Sequence, residues 1–154
     1  MNFADLLMMA GKYQDTPPFP LTPGLEIAGV VEALATPHPR LAPGIRVLTQ
    51  VGSGGLASHI TVPAERLTMI PDTVTDDEAA AFQITYGTAH LALVRRARMA
   101  AGETVAILGA AGGAGLAAVE LASALGARVI AVARGEDRLV TCRDSGADIT
   151  INSA

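Results

Sequence analysis

From Val105 to Leu116 the chain reads Val-Ala-Ile-Leu-Gly-Ala-Ala-Gly-Gly-Ala-Gly-Leu, an apolar run that breaks into small residues. Backbone N–H groups approach a pyrophosphate closely only where no bulky Cβ intervenes. At a helix start, unpaired amides and the helix dipole add to the attraction for an anion. The pattern reads as a strand, a phosphate-cradling turn over Ala110, Ala111, Gly112, Gly113, Ala114 and Gly115, and then a helix. Written as G-x-G-x-x-G ending at Gly115, it puts Gly112 second and Ala110 first, with Gly109 one residue early. The loop is therefore expected to bind phosphate with a slightly altered shape. The alternative for the same residues is a tight strand-to-helix turn with no ligand.

Those residues need a frame to hold them. Thr104 to Leu108 is continuously apolar, as a strand buried on both faces should be. The segment Gly113 to Leu125 carries Leu116, Val119, Ala122 and Leu125 at helical spacing, and Gly126 stands where a C-cap glycine belongs. A second apolar strand follows over Arg128 to Val132. Together they form the βαβ unit that the glycine motif requires. In NAD-preferring units a carboxylate lies near the end of the second strand. Here that place reads Val132-Ala133-Arg134, and Arg138 follows. An arginine fork suits a 2′-phosphate, which points to NADPH as the cofactor. The alternative is that both arginines are solvated charges paired with Glu136 and Asp137.

Upstream, the signals change. Phe3 to Ala10 reads as a helix, and Pro17 to Pro20 forces an extended loop. Strands are expected over Leu25–Leu34, broken at Gly29, then over Ile45–Val51 and Ser58–Val62. Turns at Pro37–Pro39 and Pro43-Gly44 and a loop over Gly52–Gly55 punctuate them, which suggests a partly open β-barrel. Thr75 with Glu78 forms a capping box, the chain turns helical from Ala79, and a longer helix is expected over Thr88–Arg98. Two parts result, 1–75 and 76–154.

Composition narrows the function classes. Half of the 154 residues are hydrophobic and the net charge is −4, so no basic stripe invites nucleic acid. No apolar run reaches membrane-spanning length and no charged leader precedes an apolar core, so neither membrane nor export is expected and the cytoplasm is the default. The lone Cys142 excludes an internal disulfide and a multi-cysteine zinc site. Paired carboxylates and a Ser-His-Asp grouping are not evident, so hydrolysis has no support.

Several ordered segments carry a family resemblance: Asn2-Phe-Ala-Asp-Leu-Leu7, Pro23-Gly-Leu-Glu-Ile-Ala-Gly-Val-Val-Glu32, Pro43-Gly-Ile-Arg-Val47, Ala57-Ser-His-Ile-Thr-Val-Pro63, Ala110–Gly115 and Ser145–Asn152. The chain resembles the zinc-independent quinone-oxidoreductase (zeta-crystallin-like) branch of the medium-chain dehydrogenase/reductase superfamily. That group includes the enoyl-reductase domains of polyketide synthases. The resemblance implies a partial GroES-like β-barrel followed by the first half of a Rossmann doubly wound parallel sheet. It also implies a piece truncated at both ends, with homo-oligomers a property of the full-length family. A partial sheet of this kind is expected to expose unpaired edges and apolar faces.

The resemblance implies site residues too. Zinc-dependent relatives place thiol and imidazole ligands near the positions of Asn2 and Ala28-Gly29, and no such group stands there. His38, His59 and His90 are scattered and read as surface or satisfied core side chains. No metal is expected, and the chemistry implied is metal-free hydride transfer from NADPH to a small-molecule quinone or activated double bond. Asn2 is the implied catalytic residue, hydrogen-bonding the nicotinamide carboxamide or the substrate oxygen; it also suits the N-cap of the following helix. Thr88 is the implied phosphate-touching hydroxyl, with Tyr86 a weaker candidate. Asp5 reads as a first-turn helix charge. A non-catalytic nucleotide-binding remnant, or an enoyl reductase, remains the alternative function.

Overall fold

The computed structural model describes residues 1–15 and 17–154. These fall into two compact units, Met1–Ile84 and Thr85–Ala154.

In the first unit, Asn2 stands at the N-cap of α1 (Phe3–Met9) in an extended conformation. Strands β1 (Glu26–Val30), β2 (Arg46–Gln50) and β3 (Thr68–Met69) form an antiparallel sheet in that order, with Ala28 opposite Leu48 and Val47 opposite Met69. Side chains alternate across a strand. Accordingly Val47 packs with Val31 and Leu41 while its neighbour Leu48 packs with Ile70 and Ala79. β1 runs through Gly29 without a break, and beyond Val30 the backbone closes a turn in which Val31 N–H donates to Ile45 O at 2.9 Å. The strand expected over Ser58–Val62 does not form; that stretch leads to a 3₁₀ turn, Ala64–Arg66, and the short β3 pairs in its stead.

Helix α2 (Asp76–Ala80) opens on the capping box. Thr75 N–H donates to the Glu78 carboxylate at 2.8 Å and Glu78 N–H donates to Thr75 Oγ1 at 3.3 Å. That backbone donor holds the Glu78 carboxyl below its ordinary range. Arg46 fastens the start of α2 to β2, donating to Asp76 at 2.9 Å and to the Val74 carbonyl at 2.7 Å. Ile84 N–H donates to Glu26 of β1 at 2.9 Å. These ties keep residues 76–84 with the first unit, so the compact units divide later than the change of composition at residue 75.

α3 (Phe82–His90) begins earlier than Thr88 because Gly87 sits inside it rather than breaking it. A π-helical turn, Leu91–Arg96, follows, and Arg98 adopts a left-handed backbone that stops the helix. The second unit then alternates β4 (Thr104–Leu108), α4 (Gly113–Ala124), β5 (Arg128–Ala133), α5 (Glu136–Asp144) and β6 (Ile149–Asn152). Its strands are parallel in the order β4-β5-β6. Right-handed crossovers advancing in one direction place both helices on one face of such a sheet. The burial follows this: Val129, Ala131 and Ala133 lie in the core, whereas Leu108 is 79% exposed and Ile151 48%. The expectation of strands buried on both faces is thus corrected, since the helices cover only one face. Gly126, with φ of +81°, ends α4 as expected, and Ala127 N–H donates to Ala122 O at 3.0 Å. Among the described residues, no helix is long and apolar enough to cross a membrane.

Candidate functional site

The turn between β4 and α4 divides its work among neighbouring residues. Gly109 takes φ of +67°, the left-handed conformation that favours glycine. Ala110 is fully buried, and its N–H donates to Val132 O of β5 at 3.0 Å. Gly112 N–H closes the turn onto Gly109 O at 3.0 Å, and α4 begins at Gly113. Gly115 is the packing point. A Cβ there would stand 2.4 Å from Gly109 O and 2.8 Å from both Ala110 Cα and Ala110 O. Gly112, Gly113 and Ala114 are exposed and Ala111 is half-buried. The early Gly109, which the motif spacing leaves out of register, therefore makes the turn, and Ala110 in the first-glycine position serves as a buried anchor.

Such an arrangement suits an anion. The first N–H groups of any α-helix lack intrahelical acceptors and carry the positive end of the dipole. Here the first turn bears only glycine and alanine, with no side chain to fill the approach. The donor set and the open face of the turn fit a diphosphate.

Helix α3 meets this region through Thr85. Its Cγ2 would lie 3.4 Å from a Cβ on Gly113, while Thr88 is exposed one helical turn further on. Thr85 is thus the threonine that packs against Gly113, while Thr88 is the one that the family resemblance implies. Tyr86 donates its hydroxyl to the Glu120 carboxylate on α4. That bond, reinforced by burial, pushes the phenol up to about 12.

Arg134 follows the C-terminal end of β5, and Arg138 lies in the first turn of α5. Both are exposed. Glu136 pairs instead with Arg143 at 2.9 Å, and among the described residues neither Arg134 nor Arg138 joins an ion pair. Gly135, with φ of +94°, separates strand from helix, and its N–H donates to Asn152 Oδ1 at 3.2 Å.

In the first unit, Asn2 is the N-cap of α1 and forms a capping box with Asp5, as its place before the helix suggested. Its Nδ2 also reaches β1 and donates to Glu26 Oε1 at 2.9 Å. Asp5 is fully buried and accepts the N–H of Asn2 at 2.7 Å and of Gly24 at 2.8 Å. It is a structural acceptor joining α1 to the segment before β1. Glu26 is the functional-looking residue that spacing arguments missed; its place inside an apolar strand was the available signal.

The histidines are dispersed. His38 Nδ1 accepts from Arg40 N–H at 3.2 Å, and the exposed His59 ring lies 3.2 Å from Glu32. His90 ends α3. Cys142 is fully buried, which pushes its thiol up. Among the described residues, no three His, Cys, Asp or Glu side chains converge as a metal site.

Comparison with known proteins agrees with this arrangement. Residues 1–72 match the alcohol dehydrogenase GroES-like domain. A quinone oxidoreductase-like protein 2 homolog from Nematostella vectensis is 42% identical over 99% of this chain and 42% of its own length. A probable oxidoreductase from Mycobacterium abscessus superposes with a TM-score of 0.93 at 38% identity, over 100% of this chain and 50% of that one. The quinone oxidoreductase from Thermus thermophilus, solved also as its complex with NADPH, superposes with a TM-score of 0.85 at 39% identity, over 97% and 47%. The chain spans about half the length of the curated relatives it matches. With a partial GroES-like barrel preceding the first half of a Rossmann sheet, the chain belongs to the quinone-oxidoreductase-like branch of the medium-chain dehydrogenase/reductase superfamily.

Proposed function

We propose that this chain binds NADPH and supplies the cofactor-holding part of a metal-free oxidoreductase acting on a quinone or an activated double bond. When bound, NADPH supplies the hydride. The chain's residues supply position. Main-chain N–H groups at the start of α4, those of Gly113, Ala114 and Gly115, hold the diphosphate against the turn that begins at Ala110, and Arg134 and Arg138 receive the adenosine 2′-phosphate. The family resemblance assigns Thr88 to a cofactor phosphate and Asn2 to the nicotinamide. The metal-free reading is supported by Asn2, Ala28 and Gly29 standing where zinc-dependent relatives place ligands. The observation that carries the proposal is the turn, with Gly109 left-handed and Gly115 admitting no Cβ, opening on an uncluttered helix start.

The test is titration of the purified chain with NADPH and NADH, followed by fluorescence. NADPH is expected to bind more tightly by about tenfold or more, the worth of a charged hydrogen-bonded contact. Arg138→Ala should narrow the gap by weakening NADPH alone. Equal affinities for the two dinucleotides would reject the 2′-phosphate assignment. Binding without reduction of any quinone would favour a nucleotide-binding role over catalysis.

A further inference from the structure

The end of β6 is tied to the turn that leads from β5 into α5. Asn152 lies opposite Ala133 in the parallel register, and Ser153 N–H donates to Ala133 O at 3.0 Å. The Asn152 side chain continues the connection: its Oδ1 accepts the N–H of Gly135 at 3.2 Å and of Ala154 at 3.1 Å. A backbone N–H only donates, so the atom on which both converge must be the amide oxygen. That fixes the orientation of the amide. Its NH₂ end carries two donors and has no partner among the described residues.

The neighbourhood is open and positively charged. Gly135 needs glycine for its φ of +94° alone, since a Cβ there would meet nothing within 4 Å. Arg134 precedes it, Arg138 lies in the first turn of α5, and both are exposed and outside any ion pair among the described residues. Of the two acids in that turn, Glu136 is drawn away to Arg143 at 2.9 Å, and Arg143 is itself held by Thr150 Oγ1 of β6 at 2.7 Å. Asp137 is left against two arginines.

We propose that Asn152 is a specificity-determining residue: its Oδ1 holds the Gly135 turn while its Nδ2 donates to the 2′-phosphate of an adenosine bound alongside Arg134 and Arg138. A phosphate dianion only accepts, and its bonds to an NH₂ and two guanidiniums are charge-assisted. A ribose hydroxyl in the same place draws no such bond from the amide. The ligand's identity rests on the NADPH reading; the orientation of Asn152 rests on its own two bonds.

Adenosine 2′,5′-bisphosphate and adenosine 5′-monophosphate differ by the 2′-phosphate alone and test this without the nicotinamide. In amide spectra of the ¹⁵N-labelled chain, the Asn152 Nδ2 pair should move as the bisphosphate is added and stay in place with the monophosphate. A stationary pair while the bisphosphate saturates would overturn the proposal, and so would equal movement with both nucleotides. Asn152→Asp keeps an acceptor for Gly135 and Ala154 but exchanges the donor for negative charge. It should weaken the bisphosphate by about tenfold or more and leave the monophosphate no weaker. Equal weakening of both would mean that Asn152 serves the turn only, which contradicts the proposal. Arg138→Ala separates this inference from the reading beneath it. If the unaltered chain prefers the bisphosphate and Arg138→Ala reduces that preference while Asn152→Asp does not, the role of Asn152 alone is refuted. If the unaltered chain binds both nucleotides alike, the 2′-phosphate site itself falls and Asn152 with it.

Discussion

Replacing Gly115 by alanine sets two effects of known size against each other. Alanine is the better helix former, by about 1 kcal/mol in a helix interior. At Gly115 that gain meets a collision, since the new Cβ would lie 2.4 Å from Gly109 O and 2.8 Å from Ala110 Cα. Both obstacles are backbone, so neither rotates away; the turn must shift or α4 must lift off the sheet. Overpacking of this kind costs about 1–3 kcal/mol and occasionally more, and the upper end applies where the neighbour is main chain. The net expectation is a loss of about 2 kcal/mol after the helical gain is subtracted. Gly87→Ala is the matched control. Gly87 lies within α3 with nothing inside 4 Å of its missing Cβ, so only the helical gain remains. Urea unfolding should show Gly115→Ala with a lower midpoint and Gly87→Ala with an equal or higher one, at unchanged slope. A Gly115→Ala protein as stable as the original would refute the claim that the turn and α4 are packed to contact.

Two further outcomes follow from buried or bonded groups. Asp5→Ala leaves the Asn2 and Gly24 N–H groups without their acceptor and should cost about 2–4 kcal/mol by urea unfolding, whereas Asp5→Asn keeps one acceptor and should cost less. Tyr86, whose phenol the Glu120 bond raises from 10.0 to about 12, should titrate late by ultraviolet absorbance, and Glu120→Gln should bring it down toward 10. The folded state holds that proton more tightly than the unfolded chain. Its contribution is therefore whole below pH 10 and is lost as pH rises toward 12, so the stability of Glu120→Gln should fall less over that window.

The sequence was most legible where local and long-range signals coincide. The glycine turn, the α4 stripe with Gly126 behind it, and the apolar β4 and β5 all announce themselves, because each residue type there answers one steric demand. The capping box at Thr75 was readable for the same reason. Other elements were hidden by their chemistry. In α5 only Leu139 and Cys142 are fully buried among Glu136, Asp137, Arg138, Arg143 and Asp144, so its apolar stripe is too narrow to stand out. β3 spans two residues, too few for alternation to show. The alternating segment Ser58–Val62 invited a strand, yet it pairs with nothing, because pairing depends on a partner that no local window contains.

The candidate site was partly legible as well. The identity of the turn could be read, but its division of labour could not. Gly109 is required by a positive φ, and its value emerges only once Ala110 is seen buried against β5. Thr88 was singled out by the family resemblance, whereas the closeness of Thr85 to Gly113 exists only through the fold. Glu26 stands in the chain far from Asn2, and their bond exists only through the fold.

The central claim is that main-chain N–H groups of the turn hold a dinucleotide diphosphate. Amide spectra of the ¹⁵N-labelled chain recorded during NADPH addition test it most directly. The account predicts saturable shifts, largest at Gly112, Gly113, Ala114 and Gly115, with smaller ones at Arg134 and Arg138. Shifts confined to other segments, or none at these four amides while NADPH binds, would contradict it.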